Sequence, residues 1–261
     1  MPDINVGDVI AAYEGPVGII WEMLMGEQIH VGGKDETDIL AGVAGVTADT
    51  RVLDVLSGLG GPARHLARTY GATVTGLDAT GRMVDEAVAR TAAEGLDDRV
   101  TFRLGNALDM PFGSGTFDVV WGQDSWCYVT DKDRLIRECH RVAVPGGRIA
   151  FTDWIHTGAM SDEELHSLNA FMLFPYMETL DGYEQLFRRH GFAVERCEDL
   201  SDDFAAHMHR YRDALANDLK GRIVELFGRD VFWEMERGIE LWVKAADEGK
   251  VGRGRLVGRK Q

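Results

Sequence analysis

DVLSGLGGPARHLARTYGATVTGLDAT, residues 54–80, sets Gly58, Gly60 and Gly61 between an apolar run and a helix, and reaches Asp78 at the end of the next apolar run. The run RVLDVL, from Arg51, suits a short strand buried on both faces. PARHLARTY reads as a helix, with Pro62 near its start, where a missing N–H costs nothing. ATVTGLD is a second strand. Glycines at such a junction let the backbone approach a ligand. Asp78 lies 20 positions beyond Gly58, where a carboxylate can accept hydrogen bonds from both hydroxyls of a ribose. Loop and carboxylate together point to an adenosine-containing cofactor. The dinucleotide pattern G-x-G-x-x-G is absent, because the stretch runs S-G-L-G-G-P. There is no P-loop lysine either, so a cofactor without phosphates suits the loop better than NAD or a nucleoside triphosphate.

The same rhythm continues outward. GRMVDEAVARTAAEGL is helical, VTFRLGNA a third strand and FDVVWGQD a fourth. DKDRLIRECHRVA is helical, Pro145–Gly147 a turn and RIAFTDW a fifth strand. FAVERCEDL and GRGRLVGRK supply two more strands beyond a helical stretch. The expectation is an α/β fold: a Rossmann-like, seven-stranded, mostly parallel sheet with helices on both faces, plus a helical lid and insertion. One domain is expected over 1–261. Its parts are N-terminal lid helices (1–48), a cofactor-binding core (49–155), an acceptor-side helical insertion and strand (156–250) and a last strand (251–261). In such sheets ligands bind beyond the carboxyl ends of the strands. Asp54 to Gly61, Asp78, Asn106, Gln123, Asp124, Asp153 and Trp154 all follow or end apolar runs.

Composition excludes several partners. The net charge is −15 over 261 residues, which argues against nucleic acid and against an anionic membrane surface. Three separated cysteines, Cys127, Cys139 and Cys197, form no framework and fit a reduced, cytoplasmic protein. No signal peptide or membrane span is expected, and no metal. The partner expected is a small-molecule acceptor, with the chain a monomer or homodimer.

LDVLSGLGG, GLD at 76–78, GNALDMPF, FDVVWGQD and VPGGRIAFTDW together resemble the ordered motifs of class I S-adenosylmethionine-dependent methyltransferases. The resemblance spans about residues 50–155. It implies S-adenosyl-L-methionine as cofactor. Ser57, Gly58 and Gly60 would hold its methionine part, with Asp54 on the same side. Asp78 would hold the ribose, with Ala79 beside it. Asn106 and Ala107 would border the adenine, and Gln123 would lie beside the methyl group. Two residues depart from the pattern. Leu56 stands where the family has a glycine, and Asn106 where it has an acid; an asparagine can still meet the adenine amino group through its carbonyl oxygen.

The flanks, IIWEMLMGEQIHVGG and the tail from the aromatic-rich helix to KAADEGKVGRGRLVGRK, resemble the small-amine N-methyltransferases that act on glycine, sarcosine, dimethylglycine or phosphoethanolamine. In the phosphoethanolamine group a lid tyrosine pairs with a histidine after the fourth strand. The matching positions here are read as Trp21 and Tyr128. That group's phosphate-reading arginine is replaced by Gln123. The expectation is therefore N-methylation of a small amine or amino acid without a phosphate. Trp21, Trp126, Trp154 and Tyr176, with Tyr128, are expected at the rim of the acceptor pocket, where aromatic faces attract a cation. Tyr128, His30 and Asp124 are the candidates to take the amine's proton. A thiol or hydroxyl acceptor stays open, as does a cofactor-binding module without catalysis. Cys127 is the one thiol expected near the pocket, too few for an arsenic acceptor.

Overall fold

The computed structural model describes residues 4–261. The apolar runs form β1 (Arg51–Val55), β2 (Thr73–Asp78), β3 (Val100–Leu104), β4 (Phe117–Gln123), β5 (Ala143–His156), β6 (Phe192–Asp199) and β7 (Val251–Lys260). They join in one sheet of order β3–β2–β1–β4–β5–β7–β6. All neighbours are parallel except β7, which runs antiparallel to both β5 and β6. This is the Rossmann-like architecture expected. The Pro145–Gly147 turn lies inside β5: pairing with β4 jumps from Phe117↔Ala143 to Val119↔Arg148 across it.

Just before the first strand the chain forms α3 (Gly33–Ala44), and between strands α4 (Gly61–Tyr70), α5 (Gly81–Ala93), α6 (Lys132–Val142) and α8 (Leu180–Arg189). Period-two alternation decides which face each strand residue serves. Val52 packs with Leu40 of α3 and Leu66 of α4 in one cluster. Leu53 and Val55 pack on the other face, with Leu135 of α6 and Phe187 of α8. Strand order reverses between β1 and β4, so a crevice opens beyond their carboxyl ends.

Two further groups of helices close over that end. The N-terminal group is α1 (Val6–Glu14) and α2 (Pro16–Met25). Asn5 caps α1 in a reciprocal box with Asp8. The Arg82 guanidinium of α5 donates to the Tyr13 carbonyl at the other end of α1, at 3.0 and 2.8 Å. The second group is α7 (Asp162–Met172), α9 (Ser201–Ala214), α10 (Lys220–Phe227) and α11 (Arg229–Asp247). Trp154, Phe204 and Trp242 pack edge to face between these helices and the sheet. Among the described residues no helix is long and apolar enough to cross a membrane.

The last strand, VGRGRLVGRK, is the least hydrophobic of the central strands and yet almost wholly buried. Its two buried arginines, Arg253 and Arg255, are neutralised in place. Arg253, fully buried, donates to Asp124 Oδ1 at 2.8 Å and to Thr152 Oγ1 at 3.0 Å, and meets Glu36 Oε2 at 3.2 Å. Arg255 donates two 2.8 Å bonds to Glu36 and one of 2.8 Å to Glu198. The other oxygen of Asp124 accepts the Val31 amide at 2.8 Å. Removing one partner from such a cluster leaves buried charge uncompensated. Arg253→Met should therefore lower unfolding free energy by about 3–5 kcal/mol, read from urea denaturation; a loss below about 1 kcal/mol, the scale of a surface pair, would contradict the reading.

Candidate active site

The loop after β1 is pinned before it reaches the glycines. Leu56 and Ser57 donate their amides to the Leu77 carbonyl at 2.7 and 3.1 Å. Leu56 stands in the left-handed region, φ 61°, the conformation a glycine adopts at this place at no cost. The glycines then differ in purpose. Gly58 (φ 51°) faces open space, and its amide donates to Asp78 Oδ2 at 2.9 Å. Gly60 does not line the crevice: a β-carbon there would sit 2.4 Å from the Phe102 ring. One at Gly61 would sit 2.3 Å from the Glu27 carbonyl oxygen. Of the expected loop contacts, Gly58 is the glycine that presents bare backbone to a ligand.

Two cavities of about 80 and 110 Å³ meet at Asp78, Thr80 and Leu56. The first is bordered by Asp54, Ser57, Gly58, Gln123 and Asp124. The second takes in Ala79, Asn106 and Ala107 against Val6 and Ile10 of α1. Five polar atoms on the first wall are buried and have no partner in the protein: Gln28 Nε2, Asp54 Oδ2, Ser57 Oγ, Gln123 Nε2 and Ser125 Oγ. Buried polar atoms are normally paired, and each left unpaired costs about 1–3 kcal/mol. Their convergence on one wall marks a polar ligand's place. Gln123 reaches it with its amide nitrogen, because its oxygen is held by Thr37 at 3.1 Å and Trp121 at 3.2 Å. Asn106 spends an oxygen lone pair on the Leu108 amide at 2.8 Å, closing its own turn.

Burial, and next the charge of Asp78, pushes the Asp54 carboxyl up to about 7. Asp78 is also raised by burial, against which the Thr80 and Gly58 amides work. The three proton-acceptor candidates are all engaged otherwise. Burial drives His30 down to about 4 and holds it neutral. Its ring nitrogens lie 3.1 Å from the Val31 carbonyl and 3.1 Å from Thr37 Oγ1, away from both cavities. Asp124 is paired to Arg253. Burial raises the Tyr128 phenol well above its ordinary range, so it stays protonated.

The expected aromatic rim separates into different places. Trp126 is a correction: fully buried, it stacks on Phe151 at 4.2 Å in the core beneath the sheet. Gly122 leaves room for its ring. Tyr176 is another, since its face already carries the Lys132 ammonium, 3.7 Å from the ring centroid. Trp21 and Trp154, both buried, do converge. With Tyr13, Tyr128 and Asp124 they border a void of about 20 Å³ next to the first cavity.

Tyr13 is the residue the sequence reading missed. Its hydroxyl lies 2.6 Å from that of Tyr128, with the rings edge to face at 5.5 Å. Tyr13 of α1, and not Trp21 of α2, is thus the lid residue whose hydroxyl meets Tyr128. Gln28, Ser125 and Thr80 were also passed over. The signal for α1 was present: Val6, Val9, Ile10 and Tyr13 recur at helical spacing, and three of the four face the second cavity.

Residues 53–151 match the family described as Methyltransferase domain. The chain is 31% identical, over 89% of its length, to the glycine/sarcosine/dimethylglycine N-methyltransferase of Actinopolyspora halophila, of which it spans 41%. It is 32% identical, over 69% of its length, to the 27-O-demethylrifamycin SV methyltransferase of Amycolatopsis mediterranei, of which it covers 72%. A solved structure described as a sarcosine dimethylglycine methyltransferase from Galdieria sulphuraria shares the fold, with TM-score 0.85 and 23% identity over 94% of this chain and 96% of that one.

Asp54 offers a direct test of the crevice. Carboxyl ¹³C NMR of the ligand-free chain should show a group titrating near pH 7 that disappears in Asp54→Asn. The native carboxyl holds its proton far above the unfolded value of 3.8, so the native state binds more protons between those limits and loses stability as pH rises through them. Asp54→Asn should accordingly gain stability relative to wild type at pH above 7 and show little gain below 3.8. A resonance titrating near 4, with no pH-dependent difference in stability, would mean that water reaches the group freely.

Proposed function

This chain belongs to the methyltransferase family, and we propose from that premise that it is an S-adenosylmethionine-dependent methyltransferase acting on a phosphate-free small molecule. The observation that carries the reading is the set of unpartnered polar atoms on one wall of the crevice. They fit the two ends of an amino acid. The amides of Gln28 and Gln123 and the hydroxyls of Ser57 and Ser125 suit a carboxylate, and Asp54 suits an ammonium, whose charge favours its ionised form. Asp78 lies between that wall and the more apolar second cavity, where a ribose would join the methionine part to an adenine. Leu77, Ala107, Leu108 and Val129 supply the second cavity's apolar surface and Asn106 its polar edge.

Held by this wall and by Asp78, the cofactor would supply a methyl group already activated by its sulfonium sulfur, and an acceptor that takes it would give up a proton. The protein's part is alignment and exclusion of water, and alignment alone can contribute about 7–11 kcal/mol. The Tyr13–Tyr128 pair sits where the crevice meets the acceptor side. One phenol donates to the other, which leaves one donor and the oxygen lone pairs to orient an uncharged nucleophile. With His30 neutral and enclosed, Asp124 paired and both phenols protonated, none of these groups is free to take the acceptor's proton, so an amine acceptor would react as the free base. The nitrogen reading, expected from the sequence, is supported by the void between Trp21 and Trp154 and by the Actinopolyspora relative. The oxygen reading is supported by the phenol pair and by the Amycolatopsis relative.

Titration calorimetry with S-adenosylmethionine should show binding by the wild type. Asp78→Ala should weaken it by more than about tenfold, the loss of charge-assisted hydrogen bonds; near-wild-type affinity in a folded variant would remove Asp78 from the site. Tyr13→Phe and Tyr128→Phe should each lower kcat about tenfold to a hundredfold, read as S-adenosylhomocysteine release. Cofactor affinity should change little. Unchanged kcat in both variants would separate the pair from the reaction.

A further inference from the structure

Beyond the Tyr13–Tyr128 pair lies a half-open cavity of about 520 Å³ between α2, α7 and α11. The two tyrosines line it as well as the first cavity, so a molecule lying there meets the crevice at their hydroxyls. Its volume falls within the range of clefts that take drug-sized ligands. Its walls are apolar: Val17 and Trp21 on α2, Phe171 and Met172 on α7, Met235 and Leu241 on α11. The charged lining residues are Glu234 and Arg237, both exposed, on the outer side of α11. None of the unpartnered buried polar atoms belongs to its lining.

The chemistry of that wall is selective. A glycine or sarcosine zwitterion would leave a carboxylate against hydrocarbon, since the lining cation, Arg237, stands at the exposed outer rim, and that is costly. A lipophilic body would gain about 25 cal/mol for each Å² of apolar surface removed from water. Methionines 172 and 235 adapt their shape to an irregular ligand, while the contact between α7 and α11 is fixed. The Phe171 ring lies on the bare backbone of Gly238, where a β-carbon would be 1.9 Å away. We propose that the methyl acceptor is a bulky, largely apolar molecule that fills this cavity and presents one nucleophilic hydroxyl or amine to the Tyr13–Tyr128 pair. The inference rests on the methyltransferase reading and narrows its substrate class.

The test uses the full chain with S-adenosylhomocysteine and a neutral, apolar fluorophore, N-phenyl-1-naphthylamine. Saturable binding at one site is expected, with blue-shifted emission. Val17→Trp and Leu241→Trp, which fill the cavity from opposite walls, should each weaken it by about tenfold or more. Their calorimetric affinity for S-adenosylmethionine should stay within about twofold of wild type, since neither residue borders the crevice. In an acceptor panel, aromatic or long-chain hydroxyl and amine compounds should exceed glycine and sarcosine in kcat/KM by about a hundredfold or more. Tight cofactor binding with no fluorophore site, binding unaffected in both filled variants, or faster turnover of glycine or sarcosine would each overturn the inference and leave the methyltransferase reading standing. Failure of the wild type to bind S-adenosylmethionine would overturn that reading, and the inference with it.

Discussion

The buried cluster of Arg253 with Asp124 and Glu36 ties together parts of the chain that share no local structure. Asp124 ends the fourth strand's run, Glu36 lies on α3, and Arg253 comes from the last strand. The free oxygen of Asp124 then takes the Val31 amide, so the segment leaving the N-terminal helices is bonded to the mouth of the sheet. Charge buried in this way is stable only when every partner is present. The cost of losing any one fixes the register of β7, the place of α3 and the entry of the lid together. It also explains why Asp124, at the mouth of the crevice, is unavailable as a base.

That frame leaves the crevice wall with a different balance. Where Asp124 has every oxygen satisfied, Asp54, Ser57, Gln28, Gln123 and Ser125 each keep an atom unsatisfied. Backbone strain is concentrated beside them: Leu56 and Asp124, on either side of the crevice, are both in the left-handed region. Strained backbone and unpaired polar atoms persist where the surrounding packing holds them and a ligand makes use of them. The two engaged glycines, Gly60 and Gly61, serve packing against Phe102 and Glu27. A glycine-rich loop is thus one ligand-facing position supported by two structural ones.

Two phenols stand between the polar crevice and the apolar cavity. Because burial keeps both protonated, what the pair offers a nucleophile is a hydrogen bond and not a base. The aromatic residues that suggested a cation box are mostly committed elsewhere: Trp126 to Phe151, Tyr176 to Lys132, Trp154 to Trp242. What the lid and the insertion enclose together is hydrocarbon, and a hydrocarbon wall selects by shape and apolar area.

The sequence by itself determined the strand–helix alternation, the glycine loop, Asp78 at the tip of β2 and the presence of a last strand. Each of these is written in local periodicity or in spacing along one βαβ unit. Tertiary structure alone decided which aromatic faces a ligand. Trp126 and Trp21 look alike in the sequence, and the difference is that Gly122 admits one ring to the core. It also decided that Tyr13, 115 positions from Tyr128, is its partner, and that Arg253 and Arg255 in β7 are buried rather than solvated. These depend on contacts between distant segments, where the identity of a residue says what it can do and only the packing around it says what it meets.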